Sequence, residues 1–412
     1  MTRDILKSSS ILLFSILIAN VFAYFLQVYF GRVLGPIDYG TFGTLMSILM
    51  ILSVPISVVG NVVTKFVSSF KAKNEYGKIN SFIFSTIKKL FIYGLIGFFV
   101  IFILSPFIAS YINIDSKLPI IFVGATLIFS ILLPITRGSL QGLQKFNDLA
   151  FNNVFESVIR LVLGIVLLKI GLGVNGAVLS YGLGYFFAFL IAFISLRFLF
   201  GKTDKKINVK EIYNYAYPVL IAVACLSILI NFPTILVKHY FSALEAGYWN
   251  VALTIARAIG FVATAFTGVM LAKVAEGHER KEETLHFLKK SLSYVAICAI
   301  GFLGLIWLFP EFIVRLLFSS GYEGSAILLK FLGLVLVFNS FNLLMINYEL
   351  VLKRFKMVYL LFILTVLEIG LIFFLHNSLL EVIYIMLSVN LIIFVVELIR
   401  TSNLLSRYLH HH

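Results

Sequence analysis

Asn250, Thr254, Arg257, Phe261, Thr264 and Gly268 follow i, i+4, i+7, i+11, i+14 and i+18, a spacing that returns to one narrow face of an α-helix at every step. The residues between them are mostly apolar, which puts the arginine at membrane depth, about two turns inside its hydrophobic run. A guanidinium group there is costly unless it faces water, a partner or a ligand. Two chemistries answer that need. One is an ion pair with a carboxylate such as Glu368 or Glu156; the other is capture of an anion, since the planar guanidinium fork suits phosphate.

Other stripes bring hydrogen-bonding groups to the same kind of face. Asn20, Tyr24 and Gln27 interrupt one apolar run at i, i+4, i+7, and Ser227, Asn231 and Thr234 interrupt another about 207 residues later. Ser57, Asn61, Thr64 and Lys65 mark a further run. Any one such residue is explained by interhelical hydrogen bonding, whereas a repeated stripe predicts the wall of a wet cavity between two halves of the chain. Arg32 and Lys238 close the first and seventh runs, where they either draw in an anionic group or extend to the membrane interface. Glu156 and Arg160, at i and i+4, are expected to form an internal ion pair. Glu368 sits near the middle of a late run as the candidate for a proton or sodium site, with a structural tie to Arg160 as the alternative.

The elements that must position these groups are transmembrane helices. The chain has 412 residues, is 60% apolar and 13% charged, and has a mean hydropathy of +1.03, far outside the globular range. A spanning helix needs roughly 20 apolar residues, which gives about twelve spans, near 9–31, 41–64, 86–109, 118–137, 151–170, 174–197, 215–237, 249–272, 290–309, 327–350, 357–376 and 379–399. The net charge of +14 predicts no nucleic-acid partner, because Lys and Arg are confined to short connections between apolar runs. With the N-terminus placed in the cytoplasm, 25 of the 33 basic residues fall on the cytoplasmic side, so the positive-inside rule puts both termini there, in the plasma membrane. The segment after Met1–Lys7 is read as an uncleaved first span, and His410–His412 as a tag remnant. Cys225 and Cys298 lie inside apolar runs, which supports neither a disulfide framework nor a metal site.

The chain reads as two six-helix lobes, residues 1–200 and 215–409, joined by a polar linker at 201–214. The repeat extends past the opening stripes. Lys65 is echoed by Lys273, Lys88-Lys89 by Lys289-Lys290 and Pro106 by Pro310, and the exit loops 34–40 and 241–247 correspond, all with offsets between 201 and 209. Six spans per half give the halves the same orientation. Pro55, Pro134 and Pro233, within or near span ends, allow bends. No G-x-x-x-x-G-K-[ST] sequence is present, so no ATP-hydrolysing domain is expected. With short exterior connections and no His cluster, no enzyme is expected either.

The segments Gly31-Arg-Val-Leu-Gly-Pro-Ile-Asp-Tyr-Gly40, Arg137-Gly-Ser-Leu-Gln-Gly142 and Gly171-Leu-Gly-Val-Asn-Gly-Ala177, with twelve spans in two halves, resemble the Wzx-type polysaccharide flippases of the multidrug/oligosaccharidyl-lipid/polysaccharide (MOP) exporter superfamily. The resemblance implies a V-shaped pair of six-helix bundles that expose a central cationic cavity alternately to either side. Its implied partners are a polyprenyl-linked oligosaccharide, membrane lipids and glycan polymerase or glycosyltransferase machinery, with a monomer as the working unit. No cofactor is expected; whether transport is coupled to H+ or Na+ is left open, with Glu368 as the candidate group. Arg257 and Lys65 would neutralise the phosphate, while Asn20, Tyr24, Gln27, Asn61, Asn231, Thr234, Asn250 and Thr254 meet the sugar. The competing class is a cation-coupled multidrug exporter of the MATE type, which favours acidic residues in the first lobe; a third reading is a scaffold for glycan polymerisation.

Overall fold

The apolar runs fold as helices, and the described residues contain no strand. The computed structural model describes residues 2–201, 213–279, 284–352 and 354–409. In chain order the helices are α1 (Thr2–Leu52), α2 (Val54–Ala72), α3 (Tyr76–Tyr111), α4 (Leu118–Gly142), α5 (Phe146–Lys169), α6 (Gly173–Ser195), α7 (Tyr213–Tyr240), α8 (Ala243–Ala256), α9 (Ala258–Glu279), α10 (Leu285–Leu308), α11 (Pro310–Leu317), α12 (Ser325–Val351), α13 (Lys356–Phe374) and α14 (Leu379–Leu409). Eleven helical stretches are long and apolar enough to cross a membrane. The first of these, Phe14–Leu52, is two helices joined at Gly35, where the sequence predicts the turn between its first two spans.

The joint at Gly35 corrects the expected exit loop at 34–40. One residue alone leaves helical geometry, with φ 75° and ψ 174°, a region that a side chain makes costly. Pro36 then opens the next helix, where its missing N–H costs nothing. The corresponding turn in the second half is also short. Ser242 caps α8 in a capping box, its hydroxyl accepting from the Glu245 amide while its own amide donates to Glu245 Oε2 at 3.0 Å. The second span of each half is broken as well. Ser53, just before Pro55, separates α1 from α2, and Arg257 separates α8 from α9.

The chain divides into two compact units, Met1–Leu220 and Ile221–His412; residues 202–212 of the expected linker lie outside the described residues. In the first unit α4 packs against α2, α3 and α6, while α5 packs against α1 and α6. The α2–α4 seam is tight enough for backbone contact. A Cβ on Gly138 would lie 2.5 Å from the Gly60 carbonyl oxygen, and Thr64 Oγ1 donates to the Gly138 carbonyl at 3.2 Å. Small residues allow such approaches in membranes. Gly138→Val is therefore expected to force the seam apart, at a cost of about 1–3 kcal/mol or more, and to lower the unfolding midpoint of detergent-purified protein in a thermal size-exclusion assay. An unchanged midpoint would show that the seam yields freely.

In the second unit α12 is central, packing against α8, α9, α10 and α14. Asn342 and Asn390 are both fully buried, and Asn342 Nδ2 donates to the Asn390 carbonyl at 2.9 Å, tying α12 to α14. The outward surfaces are apolar, as lipid contact requires: Phe107, Tyr359 and Phe374 are 73–79% exposed.

Candidate functional site

The first unit encloses a charged network. Glu156 on α5 reaches Arg160 one turn along its own helix and, at 2.7 Å, Arg137 on α4. The expected Glu156–Arg160 pair is thus formed, and Arg137 joins it. Arg137 Nε donates to Asn152 Oδ1 at 2.7 Å, and Asn152 Nδ2 in turn donates to the Ala188 carbonyl of α6 at 2.7 Å. Arg160 lies over the Tyr181 and Tyr185 rings, 4.3 and 4.9 Å from their centroids, a cation–π arrangement. From there the chain of contacts continues to α1. Gln27 Nε2 donates to the Tyr181 hydroxyl at 2.9 Å, and the Tyr39 hydroxyl donates to Gln27 Oε1 at 3.1 Å. Two arginines share one carboxylate, so the polar interior of this unit carries net positive charge. Arg160 Nε is buried with no hydrogen-bond partner among the described residues.

The second unit holds the other arginine at membrane depth. Arg257 occupies the break between α8 and α9, and its Nη2 donates to Asn231 Oδ1 on α7 at 2.9 Å. Asn231 is held in turn by its own amide, which donates to the Ser227 carbonyl at 2.8 Å. One turn further along α7, Thr234 accepts from Trp249 Nε1 at 3.1 Å, locking α7 to α8. Asn250, Thr254 and Lys238 are buried in the same unit. The two stripes read from the sequence, Asn231–Thr234 and Asn250–Thr254–Arg257, therefore meet. Glu368 on α13 is 1% exposed, and neither carboxylate oxygen has a hydrogen-bond partner among the described residues. Of the two carboxylates named as alternative partners of Arg257, Glu156 is held by Arg137 and Arg160 within the first unit.

The remaining expected residues are more open. Asn20 and Tyr24 are half-buried on α1, whereas Arg32 on α1 and Asn61 and Lys65 on α2 are exposed. Sequence reasoning missed Arg137, Asn152, Tyr181 and Tyr185. Arg137 ends the expected span 118–137, at the edge of its apolar run. The signal that could have found it is the set Asn152, Glu156 and Arg160 at successive i+4 steps, a polar face in need of a partner.

A family model described as polysaccharide biosynthesis protein matches residues 5–272. An uncharacterized membrane protein of Methanocaldococcus jannaschii is 23% identical over 355 residues, covering 81% of this chain and 82% of its own. Among solved structures, the inward-facing conformation of a multidrug resistance MATE family transporter of the MOP superfamily matches with a TM-score of 0.78 at 14% identity, over 94% of this chain and 96% of that one. A MOP superfamily transporter from Pyrococcus furiosus, described by a binding pocket of reverse polarity, matches with a TM-score of 0.65 at 15% identity, over 96% of each chain.

Proposed function

This chain belongs to the polysaccharide biosynthesis protein family, and we propose that it is a flippase: it carries a lipid-linked (pyro)phosphate oligosaccharide from the cytoplasmic to the outer leaflet. The observation that carries this reading is the buried network of the first unit, where two arginines share one carboxylate; in the second unit Arg257, partly buried, donates to Asn231. Guanidinium groups in such settings favour a phosphate over an organic cation, which argues against the multidrug-exporter alternative.

In the second unit the proposed phosphate group is Arg257, with Asn231, Thr234, Asn250 and Thr254 offering hydrogen bonds to sugar hydroxyls; in the first unit the proposed cation is Lys65, with Asn20, Tyr24, Gln27 and Asn61 in the sugar-binding role. Weak multiple contacts suit a substrate that must also leave. Transport proceeds by exposing the site alternately to each side of the plasma membrane, with both termini cytoplasmic, and the chain supplies glycan-assembly enzymes as a monomer. Translocation of a labelled lipid-linked oligosaccharide in proteoliposomes, measured beside ethidium efflux in the same preparation, tests this. Saccharide movement alone is the expected result; ethidium efflux alone would replace the flippase with a drug exporter.

Glu368 is the proposed coupling group, because a carboxyl buried without a partner in a membrane helix calls for a proton or a cation. Glu368→Gln is expected to remove the dependence of translocation on an imposed proton or sodium gradient while leaving the protein folded. Gradient-driven transport equal to that of the parent would discard the assignment.

A further inference from the structure

The second unit contains another carboxyl without a partner, at the end that carries the α12–α13 turn. Glu397 on α14 is 0% exposed, and neither of its oxygens has a hydrogen-bond partner among the described residues. Glu349 on α12, 3% exposed, lies within electrostatic range of it. Both nearby guanidinium groups turn to Glu349. Arg400 Nη2 is 3.5 Å from Glu349 Oε2, and Arg354 Nη1 is 3.6 Å from Glu349 Oε1. These contacts are longer than the 2.7–2.9 Å of a tight charge-assisted bond. Arg400 follows Glu397 by three residues on the same helix, so it can serve either carboxylate: Glu349 across the helix interface, or Glu397 along α14.

The helices packed against α14 are α12 and α13. Besides Glu349, α12 carries Lys330, near its opposite end; α13 carries Lys356 at its start and Glu368 about three turns further on; α14 itself adds Glu381 near its start and Arg407 two turns beyond Arg400. Among the described residues Arg400 and Arg354 are the cations paired with Glu349, and their side chains are 31% and 35% exposed, so the cluster borders water.

We propose that Glu397 is a proton-binding site that decides which carboxylate holds Arg400. A buried, unbonded carboxyl is tolerable only as the neutral acid. With the proton on Glu397, Arg400 ties α14 to Glu349 of α12, the arrangement seen here. Loss of that proton to water leaves a buried carboxylate three residues from Arg400; the guanidinium moves to it and the tie between α12 and α14 is released. The proton is the only species transferred. The two arrangements form a two-state equilibrium whose midpoint belongs to the coupled carboxyl pair. This inference stands independently of the proposed substrate.

Spin labels on Leu352→Cys and Leu398→Cys, in the full chain lacking Cys225 and Cys298 and reconstituted in nanodiscs, read the spacing by pulsed electron resonance from pH 5 to pH 9. A change from one distance population to a longer one as pH rises is expected. Glu397→Gln should hold the short population at every pH, and Glu349→Gln should hold the long one at every pH. These opposite effects separate a proton-controlled tie from a merely structural pair. Identical distances in the parent across the whole range, or an undiminished pH response in either glutamine variant, would overturn the proposal.

Discussion

Glu156→Gln is expected to destabilise the first unit more than any other single replacement within it. The carboxylate answers two guanidinium groups at once, Arg137 at 2.7 Å and Arg160 on its own helix. Its side chain and that of Arg160 are each 9% exposed. Removing one member of such a cluster leaves buried charge without compensation, at a cost of about 3–5 kcal/mol. Here two like charges are left facing each other. Arg137 keeps its bond to Asn152, and Arg160 keeps the tyrosine faces, but neither contact brings a negative charge. The variant should show a much lower unfolding midpoint and a reduced yield of monodisperse protein. Adding Arg160→Gln should recover part of the loss, because the buried charge falls with it. A single variant as stable as its parent would mean that water or lipid phosphate already screens these arginines.

Hydropathy made the helices legible and their joints illegible, for different reasons. An apolar run marks where a helix meets lipid, but the backbone continues as helix into the interface as long as no residue stops it. That is why α4 runs on through Arg137 to Gly142, and why α3 begins at Tyr76 instead of 86. An arginine at the very end of its apolar run thereby becomes part of a buried network. The break at Gly35 falls inside the expected exit loop 34–40 but occupies a single residue, so the loop read from the sequence is too long. Polar spacing was more informative than hydropathy for the site: the i+4 and i+7 steps placed Asn231 and Arg257 on faces that do meet. Tyr181 and Tyr185 were hidden because tyrosine is ordinary in membrane helices, as lipid-interface anchor or as core. Only three-dimensional proximity to Arg160 distinguishes them.

Arg257→Ala is expected to abolish transport while leaving membrane levels near those of the parent. The side chain is only partly buried, at a helix break rather than inside a packed core, so truncation removes little packing. What it removes is a guanidinium already oriented by Asn231 at 2.9 Å, which is the kind of pre-organised group that binds an anion with small entropic loss. Losing one partner of a hydrogen-bonded charge contact costs about 2–5 kcal/mol, or roughly a 30-fold to 4,000-fold loss of affinity for the phosphate. Arg257→Lys keeps the charge but not the planar fork, and should fall between the parent and the alanine variant. Asn231→Ala should weaken transport by a smaller factor, since it frees the arginine without removing it. Translocation of a labelled lipid-linked oligosaccharide in proteoliposomes, normalised to reconstituted protein, ranks the four. An alanine variant that transports as fast as its parent would move the phosphate contact away from the second unit and leave the arginines of the first, Arg137 and Arg160, as the groups to test next.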